Sequence, residues 1–470
     1  MKRRTFLRQS GLVSLGFLSL QAYVSSCGDP TNGSKEVAKM AAGGLHQGYG
    51  PLLPDPDRIL DLPKGFSYKI ISRQGSEMAD GFFLPGKPDG MASFAGENGK
   101  VIVVRNHEVS HDDFENGAFG AKNELLARLG KESLYDYGSG KLPGLGGTTT
   151  FIYDPLRGEV EMEYLSLAGT IRNCAGGLTP WQSWITCEET TIKAGNELEF
   201  DHGFNFEVPV SLSPQLAAPK PIKAMGRFNH EAVCVDPRTS IVYQTEDRSD
   251  GLIYRFIPNQ AEKLHAGGRL QVLAIKDKKS FDTRNWDNLD TERMEIGKEY
   301  DVEWIDINNV EAPEDDLRFR GFESGAARFA RGEGMWFGDN ELYFACTNGG
   351  TVTAGQIFKY VPSELEGQSA ENQSPGKLSI FVEPNNTDLV EACDNITVAS
   401  NGDLILCEDQ ATPRIVGVTP QGEIYHLAKN VGYESEFTGA TFAPDGKTLF
   451  VNIQHAGLTL AITGPFGQRA

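Results

Sequence analysis

From Leu60 onward, short runs of hydrophobic residues alternate with polar turn sequences at intervals of roughly ten residues, a spacing typical of antiparallel strands. The runs are rich in β-branched and aromatic residues, and the turns contain Asp-Pro, Asp-Gly, Asn-Gly or Asp-Asn pairs. A strand–turn–strand unit that recurs without a strict repeat length is typical of degenerate β-propeller blades. We therefore predict an all-β fold, a single β-propeller of about six blades with loop insertions.

Helical patterns are scarce in the same part of the chain, and the best one is GAKNELLARL at residues 120–129. A parallel α/β fold would need long helices between its strands, and a β-sandwich rarely needs so many strands, so the pattern disfavours both. The longer polar connections at residues 110–142 and 262–320 are interpreted as insertions into the propeller. We expect the second, which is highly charged, to form a surface excursion.

The first 27 residues have the pattern of an export signal rather than of a folded element. Arg3 and Arg4 precede an apolar stretch at residues 11–20, which matches a twin-arginine signal and is too short for a comfortable membrane span. The following Val-Ser-Ser-Cys matches a lipoprotein cleavage box, in which Cys27 would carry the lipid. The alternative is an ordinary cleaved signal in which Cys27 has no role.

The export signal also bears on domain organisation and location. Residues 28–58, rich in Gly, Pro and polar residues, are predicted to form a flexible tether, and residues 59–470 the propeller domain. The twin-arginine route exports proteins that have already folded, often around a cofactor, so it favours a metal-binding protein. We expect a monomer in the periplasm or at the cell envelope, with a lipid on Cys27 as its sole membrane contact.

The net charge limits the kinds of ligand that the protein can bind, and the cysteine spacing limits the kinds of scaffold. The formal net charge is −20, which argues against a nucleic-acid surface and suits a protein that collects cations. The seven cysteines are scattered singly, without CxxC pairs, so they do not indicate a disulfide-stapled scaffold.

Acidic residues stand at the end of a predicted strand, or in the loop after it, in nearly every repeat of the pattern. Loops on one face of a propeller converge on its central channel, where crowded carboxylates repel one another unless cations lie between them. Oxygen ligands suit Ca²⁺, whereas a thiolate favours a transition metal. Each site alone also fits a turn-capping pair or a buried histidine. The series comprises Glu108 after Arg105-Asn106-His107, Cys174 with Glu188 and Glu189, His230-Glu231, Glu246-Asp247, Arg331 with Glu333, Cys393-Asp394-Asn395, and Glu408-Asp409.

Several motifs occur along the chain in a fixed order, from PKGFSYKIIS, PGKPDGMASF and VVRNHE near the start to GATFAPDGKTLFVNIQHAG near the C-terminus. Between them lie GRFNHEAVCVDP, QTEDRSDGLIYRF, ARGEGMWF and DNITVASNGDLILCED. The most distinctive piece is RNCAGGLTPWQSWITCEE. Taken in this order, the motifs resemble those of the PhoX-type alkaline phosphatase family, in which a glycine is common where this chain has Gln182-Ser183.

The resemblance implies an enzyme that hydrolyses phosphomonoesters of small organic molecules at a cluster of two Fe³⁺ and several Ca²⁺ ions in the propeller funnel. An oxide or hydroxide held by the metals would be the nucleophile. Carried over residue by residue, Arg331 would clamp the substrate phosphate, and the metal ligands would be Cys174, Glu189, Glu231, Asp247, Glu333 and Asp409. Gly176-Gly177 is expected to turn the chain and leave room for the metal. Only one of Glu188 and Glu189 is expected to be a ligand, because neighbours on a strand face opposite ways.

Two other classes of function fit the same pattern. One is a calcium-dependent propeller hydrolase of another kind, such as a lactonase or a phytase-like enzyme, which would have no use for Cys174. The other is a non-catalytic exported propeller that binds a partner and uses calcium only for stability. Ferric iron with a thiolate ligand absorbs visible light, so the colour of the purified protein separates both from the first interpretation.

Overall fold

The computed structural model describes residues 44–195 and 197–469. The predicted signal peptide, Cys27 and the first part of the predicted tether lie outside the described residues. Strands dominate the remainder, and the described part of the chain contains one α-helix, α1 (Leu317–Ser324). Among the described residues, no helix is both long and apolar enough to cross a membrane.

Three short strands precede six successive antiparallel groups of strands, and each group follows the chain order. The leading strands are β1 (Leu52–Leu53), β2 (Leu60–Pro63) and β3 (Ser67–Arg73). The first three groups are β4 (Pro88–Ala95), β5 (Val101–His107), β6 (Gly146–Asp154) and β7 (Glu159–Thr170); β8 (Asn173–Leu178), β9 (Ser183–Glu188) and β10 (Asn205–Pro209); and β11 (His230–Val235), β12 (Val242–Glu246), β13 (Ile253–Pro258), β14 (Gly268–Ile275) and β15 (Tyr300–Asp306).

The last three groups complete the ring. They are β16 (Gly332–Phe337), β17 (Leu342–Cys346), β18 (Gln356–Val361) and β19 (Lys377–Val382); β20 (Cys393–Val398), β21 (Leu404–Glu408), β22 (Arg414–Val418) and β23 (Ile424–Asn430); and β24 (Phe437–Phe442), β25 (Thr448–Ile453) and β26 (Leu458–Thr463). Short 3-10 turns lie in the connections, at Glu97–Gly99, Phe114–Asn116, Leu126–Arg128, Lys131–Ser133, Gly138–Gly140, Lys223–Met225, Leu264–Ala266 and Glu371–Gln373.

The first strands of the six groups surround a common axis. Strands β4, β8, β11, β16, β20 and β24 contact one another in that order, and β24 contacts β4 again, which closes the ring. The N-terminal β3 completes the last group by pairing with β26, so the two ends of the chain meet in one sheet. The predicted all-β, propeller-like arrangement is therefore present. Within residues 44–195 and 197–469, the hydrogen-bonded sheets number five rather than six, because β15 pairs with β19 and joins two groups into one nine-stranded sheet.

Most of the core lies between neighbouring sheets. The strands are buried on both faces over much of their length, and separate apolar clusters fill the spaces between successive groups. Within one sheet, Phe344 of β17 and Phe358 of β18 face the same cluster, with ring centroids 5.0 Å apart, and are both fully buried. Each such side chain contributes about 1.5–3 kcal/mol by leaving water. This packing makes the inner strands a rigid support for the residues at their ends.

Three local expectations need correction. Residues 120–129 form no α-helix and hold only the 3-10 turn at Leu126–Arg128, because Gly120 and Asn123 adopt φ of +85° and +54°, which no right-handed helix accommodates. The stretch at residues 262–320 is more than a surface excursion, since it supplies β14 and β15 to the sheet. The folded part also starts before residue 59, because His46 N donates to Ile424 O at 2.7 Å and Tyr49 packs edge-on against Tyr425.

Candidate metal centre

A bulge recurs at the same point of all six inner strands. In each, the pairing with the second strand of the group skips two residues near the strand start. A bulge redirects the side chains it carries, here towards the axis. The first skipped residue is in turn Asp89, Cys174, Glu231, Glu333, Asp394 and Gly439. Five of the six positions thus hold a residue type that binds metals.

The second skipped residue explains how the bulges fit side by side. It is small at nearly every position, and the residues are Gly90, Ala175, Ala232, Gly334, Asn395 and Ala440. A Cβ on Gly90 would lie 2.6 Å from the Cα of Ala175, and one on Gly334 would lie 2.7 Å from the Cα of Asn395. The inner strands therefore approach closely enough to bring their ligand side chains together.

A second ring of residues lies beside the first, directly after the second strand of each group. Its members are Glu108, Glu189, Asp247, Thr347, Asp409 and Gln454. In the first five, the backbone N–H donates to the carbonyl two residues before the bulge ligand, at 2.9–3.1 Å; these acceptors are Lys87, Arg172, Asn229, Arg331 and Ala392. Four of the six members of the second ring are acidic, so carboxylates stand next to the ligands of the first ring.

Three groups of ligand atoms form a continuous cluster. They are Asp89–Glu108–Cys174, Cys174–Glu189–Glu231 and Glu231–Glu333–Asp394, and within each group the ligand atoms all lie within 4.8 Å of one another. Cys174 belongs to the first two groups and Glu231 to the last two, so each group shares one residue with the next. The cluster offers enough donors for several ions rather than one.

The electrostatics of the cluster call for cations. Both carboxylate oxygens of Glu231 and the Oδ1 of Asp89 are buried without a hydrogen-bond partner among the described residues. Burial raises the pKa of Glu231 and of the Cys174 thiol well above their usual ranges, and raises the pKa of Glu189 and Asp394 to about 8. Uncompensated carboxylates in such a site would protonate or destabilise the fold. Metal ions fit this donor set, with the thiolate suited to a transition metal and the carboxylates to a hard cation.

Arg331 lies at the edge of this cluster with a left-handed backbone, at φ +54°. Its Nε and Nη2 donate to both oxygens of Asp247 at 2.9 and 3.1 Å, and Nη2 also donates to Glu333 Oε1 at 2.6 Å. Nη1 lies 3.8 Å from an Asp409 oxygen. The Glu333 carboxylate in particular raises the pKa of Arg331, so the guanidinium stays charged. The structure thus places a cation beside carboxylates of both rings.

The structure groups the sequence-predicted residues in two ways. Cys174, Glu189, Glu231 and Glu333 lie in the ligand groups, whereas Asp247 and Asp409 lie outside those groups and contact Arg331 instead.

Several residues of the site were not selected from the sequence. Glu108 and Asp394 belonged to the strand-end series but not to the chosen ligands, and Asp89 was not singled out. Glu436 was also missed; burial and the nearby Asp394 raise its pKa. An acid followed by Gly, Ala or Asn at the start of a strand is the signal that would have found Asp89 and Asp394.

The two adjacent glutamates of TCEE have separate surroundings. Glu189 belongs to the cluster, while Glu188 points into the wall behind it and accepts hydrogen bonds from Gly203 N at 2.8 Å and Phe204 N at 3.2 Å. The predicted turn at Gly176-Gly177 is wrong, because both glycines lie within β8. A Cβ on either would lie 2.0 Å from a carbonyl oxygen of a neighbouring strand, so they permit close strand packing. Gln182 adopts φ +65°, the conformation that glycine prefers.

His202 supports the wall from a buried position between two carboxylates, and we expect its contribution to stability to depend on pH. Its Nδ1 lies 2.6 Å from Glu188 Oε1 and its Nε2 3.4 Å from Asp136 Oδ2. Burial opposes the charged form, but the two carboxylates outweigh it and raise the pKa of His202 to about 9. Since this is above the ordinary value of 6.5, the stabilisation is complete below pH 6.5 and is lost as the pH rises through 9.

Replacing His202 by Gln should therefore lower the melting temperature most at pH 6, where up to about 3 kcal/mol is lost. The deficit should shrink towards pH 10. Melting curves of wild type and variant across this range test the prediction, and a deficit that does not vary with pH would contradict it.

The fold and the site together define a β-propeller with an axial cluster able to bind metal ions. The chain belongs to the alkaline phosphatase PhoX family, whose sequence model matches residues 47–152 and 145–457, and the predicted resemblance is confirmed. This membership supports a phosphatase. No curated protein sequence matches the chain.

One solved structure supports the fold. Pseudomonas fluorescens PhoX in complex with vanadate, a transition state analogue, is 16% identical, with a TM-score of 0.60; the match covers 89% of this chain and 98% of that chain. Two further similarities are weaker. They are a Xanthomonas campestris gluconolactonase (10% identity, 88% and 98% coverage, TM-score 0.39) and a Bacteroides thetaiotaomicron protein of unknown function (8%, 85% and 76%, TM-score 0.42).

Proposed function

We propose that the chain is an exported enzyme that hydrolyses phosphomonoesters of small organic molecules at the axial cluster. The observation that carries the proposal is the continuous run of buried and half-buried carboxylates, with one thiol, beside the charged Arg331. A phosphomonoester is a dianion at alkaline pH, so a catalyst must neutralise its charge and stabilise the charge that develops during transfer. An acidic cluster without cations would repel such a substrate, whereas one loaded with cations attracts it.

We infer that the resident ions are two Fe³⁺ and several Ca²⁺. Cys174 with Glu189 and Glu231 would hold iron, because this group includes the soft thiolate, and Glu231 with Glu333 and Asp394 provides only oxygen donors, which suit calcium. When bound, such ions supply Lewis-acid neutralisation of the phosphate and lower the pKa of bound water. In this proposal each of the six inner strands marks one blade, and the cluster lies where the blades converge.

Arg331 would bind the phosphoryl oxygens. A guanidinium presents planar, paired N–H donors that match two oxygens of a phosphate, and its charge persists at every relevant pH. Asp247 holds Nε and Nη2 in place, which fixes the direction of the fork. Nη1 lies 3.8 Å from an Asp409 oxygen, makes no hydrogen bond among the described residues, and remains to meet a substrate. Arg331 would thus supply a fixed positive charge, and Asp247 would fix the orientation of its guanidinium.

Cys174 allows a direct test of the metal centre. Cys174→Ala should lose iron and most phosphatase activity, because the thiolate is shared by two ligand groups. Cys187→Ala is the matched control, since Cys187 is fully buried in an apolar cluster and should keep both metal and activity. Elemental analysis, the visible absorption band of the purified proteins and turnover of p-nitrophenyl phosphate are the measurements. Equal losses in the two variants would contradict a ligand role for Cys174.

The export route and location are proposals from the sequence alone. Arg3-Arg4 and the cleavage box at Cys27 support twin-arginine export to the periplasm, with or without a lipid anchor at the envelope. We also propose, from the sequence alone, that the protein is a monomer. Fractionation of cells that express wild type or an Arg3→Lys, Arg4→Lys variant would separate the routes, because the double variant should remain inside.

A further inference from the structure

The internal repetition of the fold gives Arg331 a counterpart. Arg172 precedes the bulge ligand Cys174 by two residues, as Arg331 precedes Glu333. Both arginines have a left-handed backbone, with φ of +51° and +54°, and the carbonyl of each accepts a hydrogen bond from the first residue after the second strand of its group. The same left-handed backbone occurs at Lys87 and Ala392, which precede the bulge residues Asp89 and Asp394 by two, so it belongs to the repeat, and Arg172 and Arg331 are the positions where it carries a guanidinium. The two guanidinium groups therefore enter the funnel from equivalent positions in two different groups of strands.

Arg172 lies where two ligand groups meet. Its Nη2 donates to the Glu189 carboxylate and lies 2.7 Å from Glu108 Oε1, and its Nε donates to Glu189 O at 3.1 Å. Glu108 and Glu189 belong to the two groups that share Cys174. A guanidinium keeps its proton at every relevant pH. Arg172 is therefore a permanent cation directly beside the thiol.

One end of Arg172 has no protein partner among the described residues. Nη1 makes no hydrogen bond and is not buried, and the side chain as a whole is 36% exposed. Arg331 is similar, at 31% exposure, with its Nη1 only loosely placed near Asp409. Asn229 bridges the two sides, since its Nδ2 donates to Glu189 Oε1 at 2.9 Å and to Asp247 O at 3.3 Å. Two cations thus flank the same patch of carboxylates, each with a donor left for a ligand.

We propose that Arg172 is a second substrate-contacting residue that sets the preference for phosphomonoesters over diesters. The inference rests on the phosphatase function proposed above. A monoester dianion has three non-bridging oxygens and two charges, more than one guanidinium fork can engage, whereas a diester has two such oxygens and one charge. Arg331 and Arg172 on opposite sides of the bound phosphoryl group match the dianion. The competing explanation is that Arg172 only relieves repulsion between Glu108 and Glu189.

The decisive comparison is Arg172→Ala against wild type, both loaded with metal. We expect kcat/KM for p-nitrophenyl phosphate to fall about tenfold to a hundredfold, the inhibition constant for inorganic phosphate to rise, and kcat/KM for bis(p-nitrophenyl) phosphate to change much less. Arg172→Lys should keep the metal content but restore only part of the preference, because an ammonium lacks the fork. Arg157→Ala, at an exposed hairpin, is the control for loss of a positive charge.

The outcomes are distinct. Equal losses on both esters, in proportion to lost metal, would show that Arg172 only organises ligands and would overturn the proposal. If metal-loaded wild type hydrolyses neither ester, the proposed function fails by itself, and calorimetric binding of inorganic phosphate still tests Arg172. Weaker binding by Arg172→Ala would then support the contact, and equal binding would overturn it.

Discussion

Glu231→Gln is expected to strip the cluster of bound metal and to remove nearly all phosphatase activity. Glu231 belongs to two of the three ligand groups, and both of its oxygens are buried with no protein donor among the described residues. The glutamine amide has the same shape but no negative charge, so it should bind the proposed metal ions poorly. The fold itself should tolerate the change, because one of several mutually repelling carboxylates is removed. We expect the variant to fold with native circular dichroism, to contain fewer metal ions per chain, and to turn over p-nitrophenyl phosphate at least 10²-fold more slowly, on the order of the loss of one strong electrostatic group.

Glu366→Gln is the matched control for that experiment. Glu366 is equally buried, but it lies outside the ligand groups and pairs with Arg255 at 2.6 Å. Its replacement should lower the melting temperature, because it leaves a buried cation short of a partner, and should not reduce metal content. Full metal occupancy and activity in Glu231→Gln would refute the assignment of the cluster.

Arg331→Ala should keep the metal ions and lose most of the turnover. Arginine is not a metal ligand, and removal of its guanidinium frees Asp247 and Glu333 rather than displacing them. In the proposed reaction the guanidinium N–H groups stabilise the negative charge that develops on the phosphoryl oxygens. The loss of one such hydrogen-bond donor typically lowers kcat by a factor on the order of 10²–10³. Arg331→Lys should recover little, because a single ammonium cannot hold Asp247 through two parallel N–H donors and also present a donor to the phosphate. Turnover of p-nitrophenyl phosphate by metal-replete proteins is the measurement.

Two results would decide against this role of Arg331. Unchanged kcat with a higher KM would make it a binding residue that acts equally on ground state and transition state. A loss of metal that matches the loss of turnover would make it a support for Asp247 and Glu333 alone. Metal content per chain therefore has to be measured on the same samples.

Much of the architecture could be predicted from local pattern. Alternation of apolar and polar residues, with turn residues between the runs, is a property of neighbours in the chain, and it indicated strands in all six groups. The exception at residues 120–129 is instructive, because the helical periodicity was present but Gly120 and Asn123 took left-handed conformations. Chemically distinctive motifs such as NCAGG and RGEG also pointed to Cys174, Glu333 and Arg331 without any structure.

It was harder to select, from the sequence, which acidic residues belong to the candidate metal centre. Glu108, Glu188, Glu189, Glu246 and Asp247 all end or follow strands and look alike in sequence. The structure separates them by which face of the strand they leave. Glu189 enters the cluster, Glu188 accepts from backbone N–H groups in the wall, and Glu246 accepts a hydrogen bond from Tyr254 at 2.8 Å.

What the sequence by itself determined is the strand content, the family and the kinds of ligand atom, because these follow from residue types and short-range order. Only the tertiary structure decided which ligands meet. Asp89 lies 85 positions from Cys174 in the chain, yet its Oδ2 is 3.9 Å from Sγ, since two inner strands with the same bulge pack side by side. The last group is likewise completed by β3 from the other end of the chain, where Ser67 pairs with Thr463 of β26. Such pairings depend on contacts between distant segments, and no window of the sequence contains both partners.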